Sequence, residues 1–102
     1  MKVYWTDIAI DSLNNVYDFV EVNWDRSIAD RFLELIDQSI YLIKEQPKAG
    51  QKALNTEFRS VLVHRNVSLY YEHLPGLLKI ILVWDNRQNP ELLTKMLEAH
   101  KE

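Results

Sequence analysis

Cysteine is absent from the 102 residues, which excludes disulfides and thiolate chemistry. Glycine is scarce: Gly50 and Gly76 are the only two, too few for the glycine-rich loops that cradle phosphates. Proline occurs three times, and Pro47, Pro75 and Pro90 each follow a patterned run rather than interrupt one. No apolar stretch approaches the length of a membrane span, and the opening MKVYWTD lacks the apolar core of a secretory signal. A cytoplasmic protein is expected. His64, His73 and His100 share no HxxxH or HxH spacing, so no metal site is expected. Ser12, Ser27, Ser39, Ser60 and Ser68 lie inside or at the start of regular runs, without a GxSxG elbow, which removes a serine hydrolase. No cofactor is indicated.

What the chain does contain is an ordinary globular mixture, 47% hydrophobic and 26% charged, with length for one domain and its own core. The net charge of −3 is unevenly spread. Residues 6–46 hold about nine acids against three bases, whereas residues 47–102 hold about eight bases against six acids. The second half is therefore the one fit to meet an acidic partner, although it carries no basic stripe of the kind nucleic-acid binders show.

Val3 to Trp5 is β-prone, Thr6 can cap a helix, and Asp7 suits the positive end of its dipole. Ala9, Leu13, Val16, Val20 and Trp24 then recur at helical spacing, with Asp11, Asn15, Asp18 and Glu21 on the other face. The pattern breaks around Asp25. Ser27 with Asp30 resembles a capping box for a second helix through Phe32, Leu35, Ile36, Ile40 and Ile43, ended by Pro47. The short break predicts an antiparallel helical hairpin.

Three β-rich runs follow. In Phe58 to Arg65, alternation puts Phe58 and Leu62 on one side and Arg59, Val61, Val63 and Arg65 on the other. Arg65-Asn66 turns into Val67 to Leu74, and Pro75-Gly76 turns into Leu77 to Trp84. That last run is apolar on both faces apart from Lys79, as a central strand requires. Asn89, Pro90 and Glu91 are the N-cap, first position and first turn of a closing helix through Leu93, Met96, Leu97 and His100. The layout β-α-α-β-β-β-α predicts an α+β fold, with helices packed on one face of a mostly antiparallel sheet.

The side chains left for chemistry are basic and polar: Arg59 and Arg65 on one strand face, Arg87 and Asn89 beyond the central strand, and Lys48 and Lys52 in the preceding loop. Guanidinium groups clamp phosphates or carboxylates bidentately, so such a set could hold RNA or an acidic peptide. It could equally be a solvated sheet face.

The whole order resembles the RelE/ParE superfamily of bacterial toxins, which includes proteins described as plasmid stabilisation proteins. The resemblance rests on the first helix ending at Trp24, on Ala29 and Phe32, and on the exit from Pro47 to Gly50. Further along it rests on Phe58-Arg59, on Tyr71, and on the DNRQNP segment from Asp85 to Pro90. It implies the toxin of a type II toxin–antitoxin pair, neutralised by a cognate antitoxin. RelE-like members cleave messenger RNA on the ribosome with a basic cluster and an acid/base group; ParE-like members are not nucleases and are associated with DNA gyrase poisoning.

By position, Arg59 and Arg87 match basic positions of the nuclease cluster, as candidate catalytic groups, and Tyr71 ends the family's third-strand pattern. Ser68, however, stands where that strand usually carries arginine. The C-terminal acid/base has no counterpart among Leu92, Leu93 and Met96, and His100 sits far along the helix. RNA cleavage needs a proton acceptor and donor within reach. The resemblance is therefore to the ParE-like, non-nuclease branch. Binding by Arg59, Arg65, Tyr71, Arg87 and Asn89 is expected, with no sequence-specific DNA binding by the toxin alone. The alternatives are a ribosome-dependent endoribonuclease and a non-toxic interaction module. The antitoxin is expected to bury the apolar face around Val61, Val63, Leu69 and Tyr71 and the stripe through Leu93 and Met96.

Overall fold

The computed structural model describes residues 1–53 and 56–100. The order is β1 (Lys2–Trp5), α1 (Asp7–Asn23), α2 (Arg26–Glu45), β2 (Gln51–Lys52), β3 (Arg59–His64), β4 (Val67–Leu74), β5 (Leu77–Asp85) and α3 (Pro90–Ala99). The strands form one sheet in the order β1-β5-β4-β3-β2. The meander β2 to β5 is antiparallel, and β1 joins its far edge parallel to β5. The expected α+β layout is present, with the two-residue β2 as an addition.

Local chemistry sets the element ends. Thr6 leaves β1 extended, and its Oγ1 accepts from the Ala9 amide at 3.0 Å while donating to the Ile81 carbonyl at 3.3 Å. One hydroxyl thereby caps α1 and fastens it to β5. For α2 the expected capping box on Ser27 and Asp30 gives way to Asp25. Its carboxylate accepts from the Ile28 amide at 2.9 Å and from the Ser27 hydroxyl at 2.6 Å. A carboxylate in extended backbone reaches the third helical amide, and Asp30 instead receives the Tyr17 hydroxyl at 3.0 Å.

Two cores lie back to back. The α1–α2 hairpin brings Ala9, Phe32, Ile36 and Ile43 onto Val63, Leu69, Tyr71, Leu78, Ile80 and Val83. On the other face Phe58, Tyr70, Ile81, Leu82 and Trp84 pack under Leu93, Met96 and Leu97 of α3. The expectation that all helices share one face is thus corrected. β5 is buried on both sides, and burying each large aliphatic side chain contributes roughly 1.5–3 kcal/mol, so both faces need a cover. Tyr70 opposes Leu82 while Tyr71 opposes Ile80, so Ile81 is an extra residue in the ladder and joins Leu82 on the α3 side.

Two further expectations change. Trp24 is not on the inner stripe of α1; it is the C-cap residue, outside the helical backbone, and 57% exposed. The face of Val63, Leu69 and Tyr71 is already covered by the hairpin, and Leu93 and Met96 pack on the opposite core. The face of Val63, Leu69 and Tyr71 is therefore closed to an antitoxin, whereas Leu93 and Met96 are only half-buried and keep part of their stripe accessible.

Candidate functional site

The loop after β5 is built around Asp85. Its carboxylate accepts from the Arg87 backbone amide at 2.9 Å and from the Arg87 guanidinium at 3.0 and 2.7 Å. The bidentate pair holds the Asp85 carboxyl below its ordinary range and pushes the Arg87 guanidinium up, in both cases chiefly through that hydrogen bonding. The Asn86 amide donates to the Asn66 carbonyl, which ties the loop to the β3–β4 turn. Arg87 stands 6.0 Å from the centre of the Phe19 ring, and Phe19 meets Trp24 edge-on at 6.0 Å.

Arg87 therefore has a carboxylate on one side and an aromatic face on the other. Its guanidinium borders a cleft of about 480 Å³ between the tip of the helical hairpin and the β3–β4 turn. Trp24, Ile28, Arg31, His64 and Arg65 line the same cleft. Arg65 and Arg87, distant in sequence, are brought together here.

Arg59 belongs elsewhere. It opposes Tyr71, which opposes Ile80, while Arg87 lies beyond Asp85, which opposes Val67. The five-residue step from Ile80 to Asp85 alone spans roughly 17 Å at about 3.4 Å per residue. The Arg59 guanidinium donates to the carbonyls of Gly50 at 2.8 Å and Lys48 at 3.4 Å. The buried Tyr71 hydroxyl donates to the Pro47 carbonyl at 2.7 Å and accepts from the Gly50 amide at 3.0 Å. Burial, the largest influence, raises the Tyr71 phenol above its usual value. Arg59 and Tyr71 together clamp the turn that follows α2, and the structure does not bring either to Arg87.

Asn89 is occupied by capping, its side chain accepting from the Glu91 amide at 2.9 Å. Ser68, at the family's arginine position, is buried, and its hydroxyl accepts from the Asn86 side chain at 2.8 Å. Among the described residues no group of three or more His, Asp or Glu side chains could hold a metal ion, and no helix is long and apolar enough to cross a membrane.

Sequence reasoning missed a second groove, about 390 Å³, where α1, β5 and α3 meet. Ser12, Phe19, Val83, Trp84, Leu92 and Met96 border it. At its floor the Ser12 hydroxyl accepts from the Val83 amide at 2.9 Å. The available signal was Phe19, an aromatic that falls outside the stripe of Ala9, Leu13, Val16 and Val20.

A mixed sheet with a helical hairpin on one face and a short C-terminal helix on the other is the architecture of RelE/ParE-type toxins. The family described as ParE toxin of type II toxin–antitoxin system, parDE, matches residues 3–90, and the chain belongs to that family. Its fold is similar to a structure titled "Chromosomal ParDE TA system from P. aeruginosa". There the TM-score is 0.74 at 18% identity, over 83% of this chain and 95% of that one. It is also similar to a "YoeB/ParE toxin from Agrobacterium tumefaciens", with a TM-score of 0.60 at 22% identity over 83% of this chain and 98% of that one. No curated protein matches the sequence.

Proposed function

We infer that this ParE-family toxin acts as one cytoplasmic domain that arrests bacterial growth by binding a protein target, and that a cognate antitoxin neutralises it. DNA gyrase is the target the family association suggests. One observation carries the reading: the Arg87 guanidinium is already neutralised by Asp85 beside an apolar cleft floor of Trp24, Ile28 and Phe32. With Arg31 also paired to Glu34, Arg65 is the one arginine of the cleft without a carboxylate partner among the described residues. A single free guanidinium beside apolar side chains suits a protein segment better than an RNA backbone, whose capture depends on several unpaired cations. The other arginine matched to the nuclease cluster, Arg59, is engaged with backbone carbonyls at a distant part of the sheet. The antitoxin's seat in this reading is the groove between α1, β5 and α3, where Phe19 and Leu92 leave apolar surface exposed.

A second reading, ribosome-dependent RNA cleavage, has one observation in its favour. His64 lines the same cleft as Arg65 and Arg87, which would supply an imidazole for proton transfer. Induced expression decides between them. Growth arrest with intact transcripts, relieved by the product of the adjacent reading frame, is the expected result. Gyrase-linked double-strand breaks in supercoiled plasmid would identify the target. Messages cut at ribosome-bound codons, with cutting lost in Arg87→Ala and His64→Ala, would establish the nuclease instead.

A further inference from the structure

The cleft at the hairpin tip has a composition that its neighbours lack. Arg31, His64, Arg65 and Arg87 line it with no carboxylate among the lining residues, in a chain whose net charge is −3. Two of the three arginines are partly spent, Arg87 on Asp85 and Arg31 on Glu34 at 2.8 Å. Arg65 has no carboxylate within ion-pair distance among the described residues. Between the cations the floor is apolar and open: Trp24 is 57% exposed and Ile28 45%. An aromatic and an aliphatic side chain left in water beside an unspent guanidinium make an anchor pocket with a charged rim, the arrangement of interface hot spots.

We propose that this cleft docks an acidic segment of the toxin's protein target, with a bulky apolar residue seated against Trp24 and Ile28 and a flanking carboxylate on Arg65. The rim's charge selects the segment, and the volume of about 480 Å³ accommodates one large side chain with its neighbours rather than a wrapping tail. The seat is separate from the groove between α1, β5 and α3. No lining residue is common to the two, and Arg87 of one stands over the Phe19 ring of the other. The inference rests on reading the chain as a toxin with a protein target.

Chemical-shift mapping on the labelled full chain, with the peptide Glu-Asp-Leu-Trp-Glu-Asp as probe, tests the cleft directly. Shifts should concentrate at Trp24, Ile28, Arg31, His64 and Arg65. They should weaken about tenfold in apparent affinity in Arg65→Glu and again at high salt, while a lysine-flanked version of the peptide should leave the cleft silent. In cells, Arg65→Glu should lose growth arrest yet still co-purify with the antitoxin. Equal binding of the lysine peptide, stronger shifts from a single-stranded RNA oligonucleotide, or loss of antitoxin binding in a folded Arg65→Glu protein would each overturn the proposal. Failure of the unmodified chain to arrest growth would remove the toxin reading alone. The peptide mapping would still decide whether the cleft takes acidic segments.

Discussion

Gly50 and Tyr71 leave no room between them: a Cβ built on Gly50 would sit 2.5 Å from the Tyr71 hydroxyl oxygen and 2.8 Å from its ring. Glycine is required here by contact and not by backbone angle. The tyrosine in turn bonds both sides of the turn, at Pro47 and at Gly50. Tyr71→Phe should lower unfolding free energy by roughly 1–3 kcal/mol, because the buried Gly50 amide loses its acceptor. Gly50→Ala should destabilise the fold as well, since the ring must shift within a packed core. Urea denaturation of the two single variants measures both effects. A Tyr71→Phe protein as stable as the parent would refute this account of the clamp.

Ser12→Ala should open the margin of the sheet. The hydroxyl accepts from the Val83 amide and donates to the Ala9 carbonyl at 2.9 Å each. Without it the Val83 amide is left without its partner, at a cost of roughly 1–3 kcal/mol if no water replaces it. Amide hydrogen exchange at Val83 should accelerate, while exchange at Leu82, on the β4 side, should change far less. Uniform acceleration along β5 would instead indicate general destabilisation.

The pair of Asp85 and Arg87 predicts a dependence on acid. A carboxyl held below its unfolded value of about 3.8 contributes stability that is present above that value and lost as pH falls through the lower, folded one. Arg87→Ala removes the main cause of that depression, the guanidinium hydrogen bonds. The Asp85 carboxyl should then titrate closer to its ordinary value, and the acid-unfolding midpoint should move to higher pH. Carbon-detected titration of Asp85 in parent and variant reads the change; identical curves would show that the guanidinium does not hold the carboxylate in solution.

How much of this was legible in the chain follows the range of the interaction involved. β4 falls on the expected Val67–Leu74 because turn residues bracket it on both sides, and Asn89-Pro90 opens α3 through contacts within one helical turn. The grouping of Arg59 with Arg87 relied on both flanking the meander. Register separates them: β3 enters beside Tyr71, whereas β5 leaves beside Val67. Trp24 matched a helical repeat but stands one residue past the helix, so its ring follows the turn and not the stripe. Nor could alternation have revealed that α3 crosses to the far face. The bulge at Ile81, which turns two successive apolar residues toward α3, is likewise invisible to a period of two.

β1 accompanies β5 only from Leu77 to Ile80, yet the remaining outer margin is not left bare. Thr6 supplies a donor for the Ile81 carbonyl, Ser12 an acceptor for the Val83 amide, and the Gln88 amide a donor for the Asp85 carbonyl at 3.0 Å. An intruding strand would find those three positions taken. Two small hydroxyls and a loop amide thus keep another strand off the part of β5 that β1 leaves uncovered, and the free margin on this side of the sheet is the four residues of β1.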